Sequence, residues 1–219
     1  MAQATLSPSS RSTIRRGKDR ARTDRAELHE VLDAALICHL GVLVDGAPRV
    51  LPTGYGRLGD TLYLHGSTGA RSLREAADGE VCVSVTLVDG VVYARSAFHF
   101  SVNYRSAVIH GRPRPVTDAD EKWEALRVLT EHLAPGSWDH VRQPSRRDLA
   151  ATSVLALDLG EAAVKIRSGS PRDEPEDVAA AAAWAGVLPL RRSWGEPEPS
   201  DDLPDTVETP VHVTNRKQP

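Results

Sequence analysis

The chain has 219 residues, of which 40% are apolar, 26% charged and only 5% aromatic, and its formal charge is −3. That length bounds it to one domain of ordinary size with tails, and a core of roughly 140–170 residues buries about two-thirds of its unfolded surface without a disulfide framework. The small net charge argues against a nucleic-acid coat or a membrane-surface binder, and no apolar run reaches the ~20 residues of a spanning helix.

The first 22 residues lack the apolar segment of a secretory signal. Cys38 and Cys82 sit in apolar stretches without metal-ligand spacing and read as buried, reduced thiols of a cytoplasmic protein. Charge is uneven: residues 1–25 carry seven arginines and lysines against Asp19 and Asp24, a local +5 that leaves −8 in the rest. An arm lying across the acidic body, or across a partner subunit, is the simpler reading of this segment, and nucleic-acid binding is disfavoured.

In chain order, residues 1–22 form the basic arm. Leu28, Val31, Leu32 and Ala35 then fall on one face of a helix over 24–36. Asp45-Gly46 separates the strand-like runs CHLGVLV and APRVLP, and Gly59-Asp60 separates TGYGRL from TLYLHG. A short helix follows Gly69. Val81, Val83, Val85 and Leu87 alternate with polar residues, and Asp89-Gly90 is expected at a hairpin apex. Residues 103–111 read as a strand, and Thr117 to Asp120 as the cap of a helix with Trp123, Leu126, Thr130 and Leu133 on one stripe. Strands follow at 153–159 and 163–167, and the alanine run 179–183 reads as a helix closed at Gly186. From Trp194 onward, prolines and acids dominate, so the tail 191–219 is either disordered or draped over the folded body of 23–190. The class is mostly β, an antiparallel meander closing into a barrel with peripheral helices.

Three stretches can carry chemistry. In residues 62–72 a strand enters a small-residue loop where a helix begins. Its orphan N–H groups, the Ser67 and Thr68 hydroxyls and the Arg71 fork would make a phosphate cradle; the alternative is an ordinary strand-to-helix connection. The Gly-Lys-Ser/Thr of a Walker loop is absent. In 96–106, serine, histidine, asparagine and arginine crowd together, as a solvated strand face or as donors converging on a polar ring. In 49–55, Pro52 marks an edge, a bulge or a strand end. No serine-hydrolase elbow and no metal-ligand spacing among the eight histidines is present.

In this order the stretches resemble the pyridoxamine-5′-phosphate-oxidase-like FMN-binding proteins, in particular flavin-nucleotide-binding proteins related to nitroimidazole-resistance proteins. The matching residues run from Ile14-Arg15-Arg16 through Pro52-Thr53, Leu62 to Arg71 and Asn103-Tyr104-Arg105-Ser106 to Lys165-Ile166-Arg167 and Trp184-Ala185-Gly186. The resemblance covers the chain to about residue 190. It implies a six-stranded antiparallel split β-barrel that forms a homodimer with FMN in clefts at the subunit interface.

It further implies that Arg71, Ser67 and Thr68 hold the FMN phosphate with His65 nearby and Arg49 as a further cation. The backbone of Val50, Leu51, Pro52 and Thr53 would line the ring. Asn103, Arg105 and Ser106 would approach the cofactor or the neighbouring subunit, and Trp184 would cover the cleft. Where many relatives carry a basic residue after the loop arginine, Ser72 stands here.

The function expected is that of a flavin-dependent oxidoreductase acting on a small molecule. The alternatives are a non-catalytic flavin binder or sensor, or a split barrel holding deazaflavin F420 or haem. No second phosphate cradle is visible in the sequence, which disfavours a phosphorylated amine as substrate.

Overall fold

The structure, a computed structural model, describes residues 5–6 and 9–218. Elements follow in the order β1 (Ala21–Arg22), α1 (Arg25–Ala34), β2 (Ile37–Val44), β3 (Ala47–Leu58), β4 (Thr61–Ser67), α2 (Arg71–Asp78), β5 (Val81–Tyr93), β6 (Ser101–Gly111) and β7 (Arg114–Pro115). They continue with α3 (Ala119–Leu133), α4 (Arg146–Ala151), β8 (Thr152–Asp158), β9 (Ala162–Arg167), α5 (Pro175–Ala180), β10 (Gly186–Pro189) and α6 (Val211–Thr214). Among the described residues there are ten strands in one antiparallel sheet, ordered β1-β9-β6-β5-β2-β3-β4-β8-β7, with β10 added to β5. The end strands β1 and β7 do not pair with each other, so the sheet rolls into an open, split barrel. The surplus over the six strands expected comes partly from β1, β7 and β10, which have two, two and four residues.

Period-2 patterning builds the barrel wall. On β2, Cys38, Leu40, Val42 and Val44 point inward while Ile37, His39 and Leu43 face out. Leu28, Val31 and Leu32 of α1 complete this core with Leu155 and Leu157 of β8 and Ile109 of β6. Asp24 caps α1 by accepting the Ala26 N–H at 2.9 Å. β8 is buried on both faces at Val154 to Leu157 because α3 packs a second cluster of Ala125, Val128 and Leu129 against its outer side.

Three sequence expectations are corrected. Asp89-Gly90 is not a hairpin apex; β5 runs straight through it with a bulge between Val88 and Gly90. The extra residue flips the inward parity from Val85 and Leu87 to Gly90 and Val92. Gly90 is there for close approach, since a Cβ would lie 2.8 Å from the Leu188 carbonyl oxygen of β10. By contrast Asp45-Gly46 is a true turn, with φ of 54° and 73°. The buried stripe of α3 is Ala125, Val128 and Leu129 rather than Trp123, Leu126, Thr130 and Leu133. The reason is that the helix lies against Gly56, where an added Cβ would be 2.8 Å from the Val128 carbonyl oxygen. The helix near the alanine run lies earlier, at Pro175–Ala180, started by its first-turn proline and ended by Ala181 at φ 47°.

The basic arm lies on the acidic body: Arg11 pairs with Glu80 at 2.8 Å and with Glu161 at 2.6 Å. The tail is draped, as one of its two expected states. Arg216 donates to the Leu133 carbonyl at 2.6 Å and stacks over Trp194 at 4.1 Å.

Candidate functional site: the split between β3 and β4

The split has a simple origin in strand register. β3 pairs with β2 along Ala47–Gly54, but with β4 only through Tyr55–Leu58. β4 keeps its other edge on β8 over its whole length from Thr61 to Ser67. Past Tyr55 and Leu64 the two strands therefore part, leaving residues 47–54 of β3 with one backbone edge that has no strand partner among the described residues. Along such an edge alternate C=O groups, and N–H groups except at Pro48 and Pro52, which have none, are free for a ligand. Tyr55 anchors the fork from inside: it is fully buried, and its hydroxyl donates to the Leu32 carbonyl and, at 3.1 Å, to that of Ala35.

One wall of the opening carries Arg49, Val50, Leu51, Pro52 and Thr53. Val50 is 67% exposed, and Arg49 has no ion pair among the described residues. The other wall carries His65, Ser67, Thr68 and Arg71. The His65 ring stands across the split from Gly54, where a Cβ would meet only His65 Cε1, at 4.0 Å. Surrounding protein pushes the His65 imidazole below its ordinary value of 6.5, so it is neutral at pH 7.

The turn into α2 is shaped by its own hydrogen bonds. Ser67 Oγ accepts the Gly69 N–H at 3.2 Å, and its carbonyl accepts the Ala70 N–H at 2.9 Å. The Thr68 N–H goes to Ala151 at 3.0 Å. Ala70 occupies the N-cap and supplies no side-chain acceptor, so the first-turn N–H groups of α2 point outward without intrahelical partners. Gly66 lets the turn sit tightly on α2, since a Cβ there would be 2.6 Å from Leu73 Cδ1.

Asp45, at the β2–β3 turn, forms an ion pair with Arg71. Sequence reasoning missed this carboxylate, because its Asp-Gly signature already had a sufficient explanation as a turn.

The structure does not bring the remaining expected residues into this opening within one chain. β5 and β2 stand between β6 and β3 in the sheet. On β6, Asn103 is buried, accepts from Arg167 and donates to the Gly169 carbonyl at 3.2 Å. Arg105 clamps Asp89 with contacts of 2.8 and 3.0 Å, and Ser106 Oγ donates to the Lys165 carbonyl at 3.3 Å. Trp184 is 68% exposed, 5.8 Å from the Tyr93 ring.

A second concavity, absent from sequence reasoning, lies between the α1–β2 connection, the end of α3 and the draped tail. It measures about 720 Å³, and Leu36, His132, Trp194, His212, Arg216 and Lys217 are among its lining. His132 Nε2 is 2.7 Å from the Ala35 carbonyl, and burial pushes that ring below its usual value. His212 Nδ1 is buried without a partner.

Among the described residues no helix is long and apolar enough to cross a membrane. The profile of the family described as pyridoxamine 5′-phosphate oxidase matches residues 24–166. The flavocytochrome Anf3 from Azotobacter vinelandii is 36% identical, with a TM-score of 0.91, over 96% of this chain and 98% of its own. The FAD and heme binding protein from Mycobacterium smegmatis is 39% identical, with a TM-score of 0.86, over 91% of this chain and 98% of its own. A protein described as a putative 5-nitroimidazole antibiotic resistance protein, from Bacteroides thetaiotaomicron, shares the fold at 22% identity and a TM-score of 0.57, over 67% of this chain and 86% of its own. Among curated proteins no match is found. With a family profile spanning most of the folded body and two solved relatives above 30% identity along nearly the whole chain, the protein belongs to the pyridoxamine 5′-phosphate oxidase family of split-barrel proteins.

Proposed function

We propose that the protein is a flavoprotein that seats the ribityl phosphate of a flavin, in its simplest form FMN, at the Ser67–Arg71 turn. The ring would then lie along the open edge of β3 at Val50–Thr53. The observation that carries this reading is the split itself: an unpaired backbone edge faces an uncapped helix start with a cation and two hydroxyls. These groups fit the ligand. The outward N–H groups and the partial positive charge of α2 suit a phosphate, as do Ser67, Thr68 and Arg71, while Arg49 adds charge from the opposite wall.

Bound flavin supplies the redox chemistry. The chain's own work is to hold it, present strand N–H groups toward the ring and keep a neutral His65 within the opening as a proton donor or acceptor. On this basis the protein is an oxidoreductase acting on a small molecule in the cytoplasm.

A second copy of the chain forms the other side of the cleft in this reading. Outward-facing Ile37, Leu43 and Val50 on β2 and β3, together with Phe98 at 91% exposure, offer apolar surface to it. The partner would then bring Asn103, Arg105, Ser106 or Trp184 toward the flavin.

A second reading, FAD together with haem, is favoured by the 39%-identical FAD and heme binding relative, by the 36%-identical flavocytochrome and by the 720 Å³ concavity. Its residues fit a haem: Leu36 and Trp194 for the porphyrin, Arg216 and Lys217 for propionates, and His212 as a nitrogen donor with a buried, unpartnered atom.

The test is the mass and absorption spectrum of whatever is released from the purified protein. FMN alone fits the first reading, and FAD with a Soret band fits the second. A colourless protein whose spectrum and fluorescence ignore added FMN and FAD would end both.

A further inference from the structure

Two segments from opposite ends of the folded body meet beside the end of β9. One is the turn that leads into β1, bent by Gly17 at φ 62°; the other leaves β9 and is bent by Gly169 at φ 99°. They enclose a cavity of about 220 Å³, lined by Arg20, Arg22, Arg167 and Arg172 with the serines Ser168 and Ser170. Asp19 is the single carboxylate of that lining.

The charges there do not cancel. Arg22 pairs with Glu27 at 3.2 Å, and Arg172 with Asp19 at 3.0 Å. Arg20 and Arg167 face no carboxylate within ion-pair distance among the described residues. Arg167 is only 8% exposed, and its guanidinium reaches neutral acceptors alone: Asn103 Oδ1, and at 3.4 Å the Gly169 and Ser170 carbonyls. Burial, then repulsion by Arg20 and Arg172, pushes its pKa below the usual arginine value, yet an arginine remains charged. A buried cation facing two more of its own sign is unfavourable unless an anion completes the group. Guanidinium forks match the oxygens of a phosphoryl group bidentately, and the serine hydroxyls can donate to the same oxygens.

We propose that this cavity binds the phosphoryl group of a small phosphorylated molecule, at a site separate from the β3–β4 split. Within one chain three strands stand between β9 and β3 in the sheet, and the cavity shares no lining residue with the split. The acidic Asp19 stays on Arg172 at the rim, whose side chain is the most exposed of the paired arginines. The sequence shows no second cradle because its parts lie in segments far apart in the chain, brought together by the β1–β9 pairing and the Arg172–Asp19 ion pair.

The test is calorimetric titration of the full-length protein with inorganic phosphate, pyrophosphate and glycerol 3-phosphate, repeated on Arg20→Ala/Arg172→Ala. The expected result, with the protein saturated in FMN so that the Ser67–Arg71 turn is filled, is saturable binding that weakens at least tenfold in the double variant and is unchanged in Arg142→Ala, an exposed arginine outside both openings. The single exchange Arg172→Ala, at the solvent-facing rim, should show the same direction with a smaller effect. Tighter binding of glycerol 3-phosphate than of phosphate marks an organic phosphate as the occupant, and the reverse marks the free ion; either supports the site. No binding of any probe, equal affinity in the double variant, an equal loss in Arg142→Ala, or displacement of all probes by a short DNA duplex would overturn it.

Discussion

Asp45 and Arg71 close an ion pair across the mouth of the split, one from the β2–β3 turn and the other from the first residue of α2. Glu75, one turn further along α2, stands 3.6 Å from the same guanidinium. Any phosphate seated at the turn has to draw Arg71 away from Asp45, so the carboxylate competes with the ligand. Asp45→Asn removes the competing charge and keeps a residue type that tolerates the left-handed φ of 54°. An exposed pair of this kind is worth about 0.5–1 kcal/mol, so FMN should bind about two- to fivefold more tightly. Arg71→Ala should weaken binding at least about tenfold, the ~1.4 kcal/mol of one charge-assisted contact. Fluorescence-quenching titration reads both, and an Asp45→Asn protein with weaker affinity would remove the competition argument.

Gly56 fixes how closely α3 lies on the barrel. A Cβ there would stand 2.8 Å from the Val128 carbonyl oxygen and 2.9 Å from the Leu129 nitrogen, both backbone atoms that no side-chain rotation can move. Gly56→Ala should push α3 outward at a cost of about 1–3 kcal/mol. At about 2–4 °C per kcal/mol for a domain of this size, calorimetry should show Tm falling by several degrees. An unchanged Tm would mean that the helix has slack the packing does not suggest.

How much of this was legible in the sequence depended on whether a signal was local. Asp45-Gly46 and Gly59 make turns because glycine, and here Asp45, occupy positive φ at hairpin ends. Asp89-Gly90 has the same composition but serves a non-local purpose: Asp89 holds Arg105 and Gly90 admits β10. No pattern in the flanking residues distinguishes the two cases. The strand, turn and helix start of residues 65–71 were legible because they follow each other directly. Asn103 and Arg105 were singled out by their chemistry, yet their partners, Arg167 and Asp89, come from pairings of β6 with its neighbours. The four-arginine cavity depended on a two-residue strand, β1, which periodicity cannot detect.

Stability should fall as pH drops below about 6.5. Burial is the first cause that lowers His132 from that value, so the unfolded chain binds a proton that the folded chain refuses. A depressed native pKa gives stability that is complete above the unfolded value and lost as pH falls toward the folded one. Asp148 and Glu161, both held at about 2 by hydrogen bonds and arginine partners, add losses only under more acidic conditions. Urea midpoints measured at pH 7.5 and 5.5 should therefore differ, and His132→Gln should shrink the difference. A midpoint flat across that interval would show that the His132 ring is not protected from protonation.

If the proposed dimer forms, the apolar surface outside the core is where its two copies meet. Phe98 is 91% exposed, Leu43 faces out from β2 and Val50 from β3, one wall of the split. The tail, in contrast, spends its contacts within the chain: Trp194 Nε1 donates to the Lys217 carbonyl at 3.0 Å, and Arg216 reaches Leu133 on α3. Removing residues 196–219 should leave the sedimentation coefficient that of a dimer while opening the 720 Å³ concavity, which Arg216 and His212 help to line. Phe98→Asp places a charge where apolar contact is expected, and should shift the protein toward monomer and lower flavin occupancy with it. A truncated chain that sediments as a monomer, beside a Phe98→Asp protein that stays dimeric, would move the interface from the barrel face to the tail.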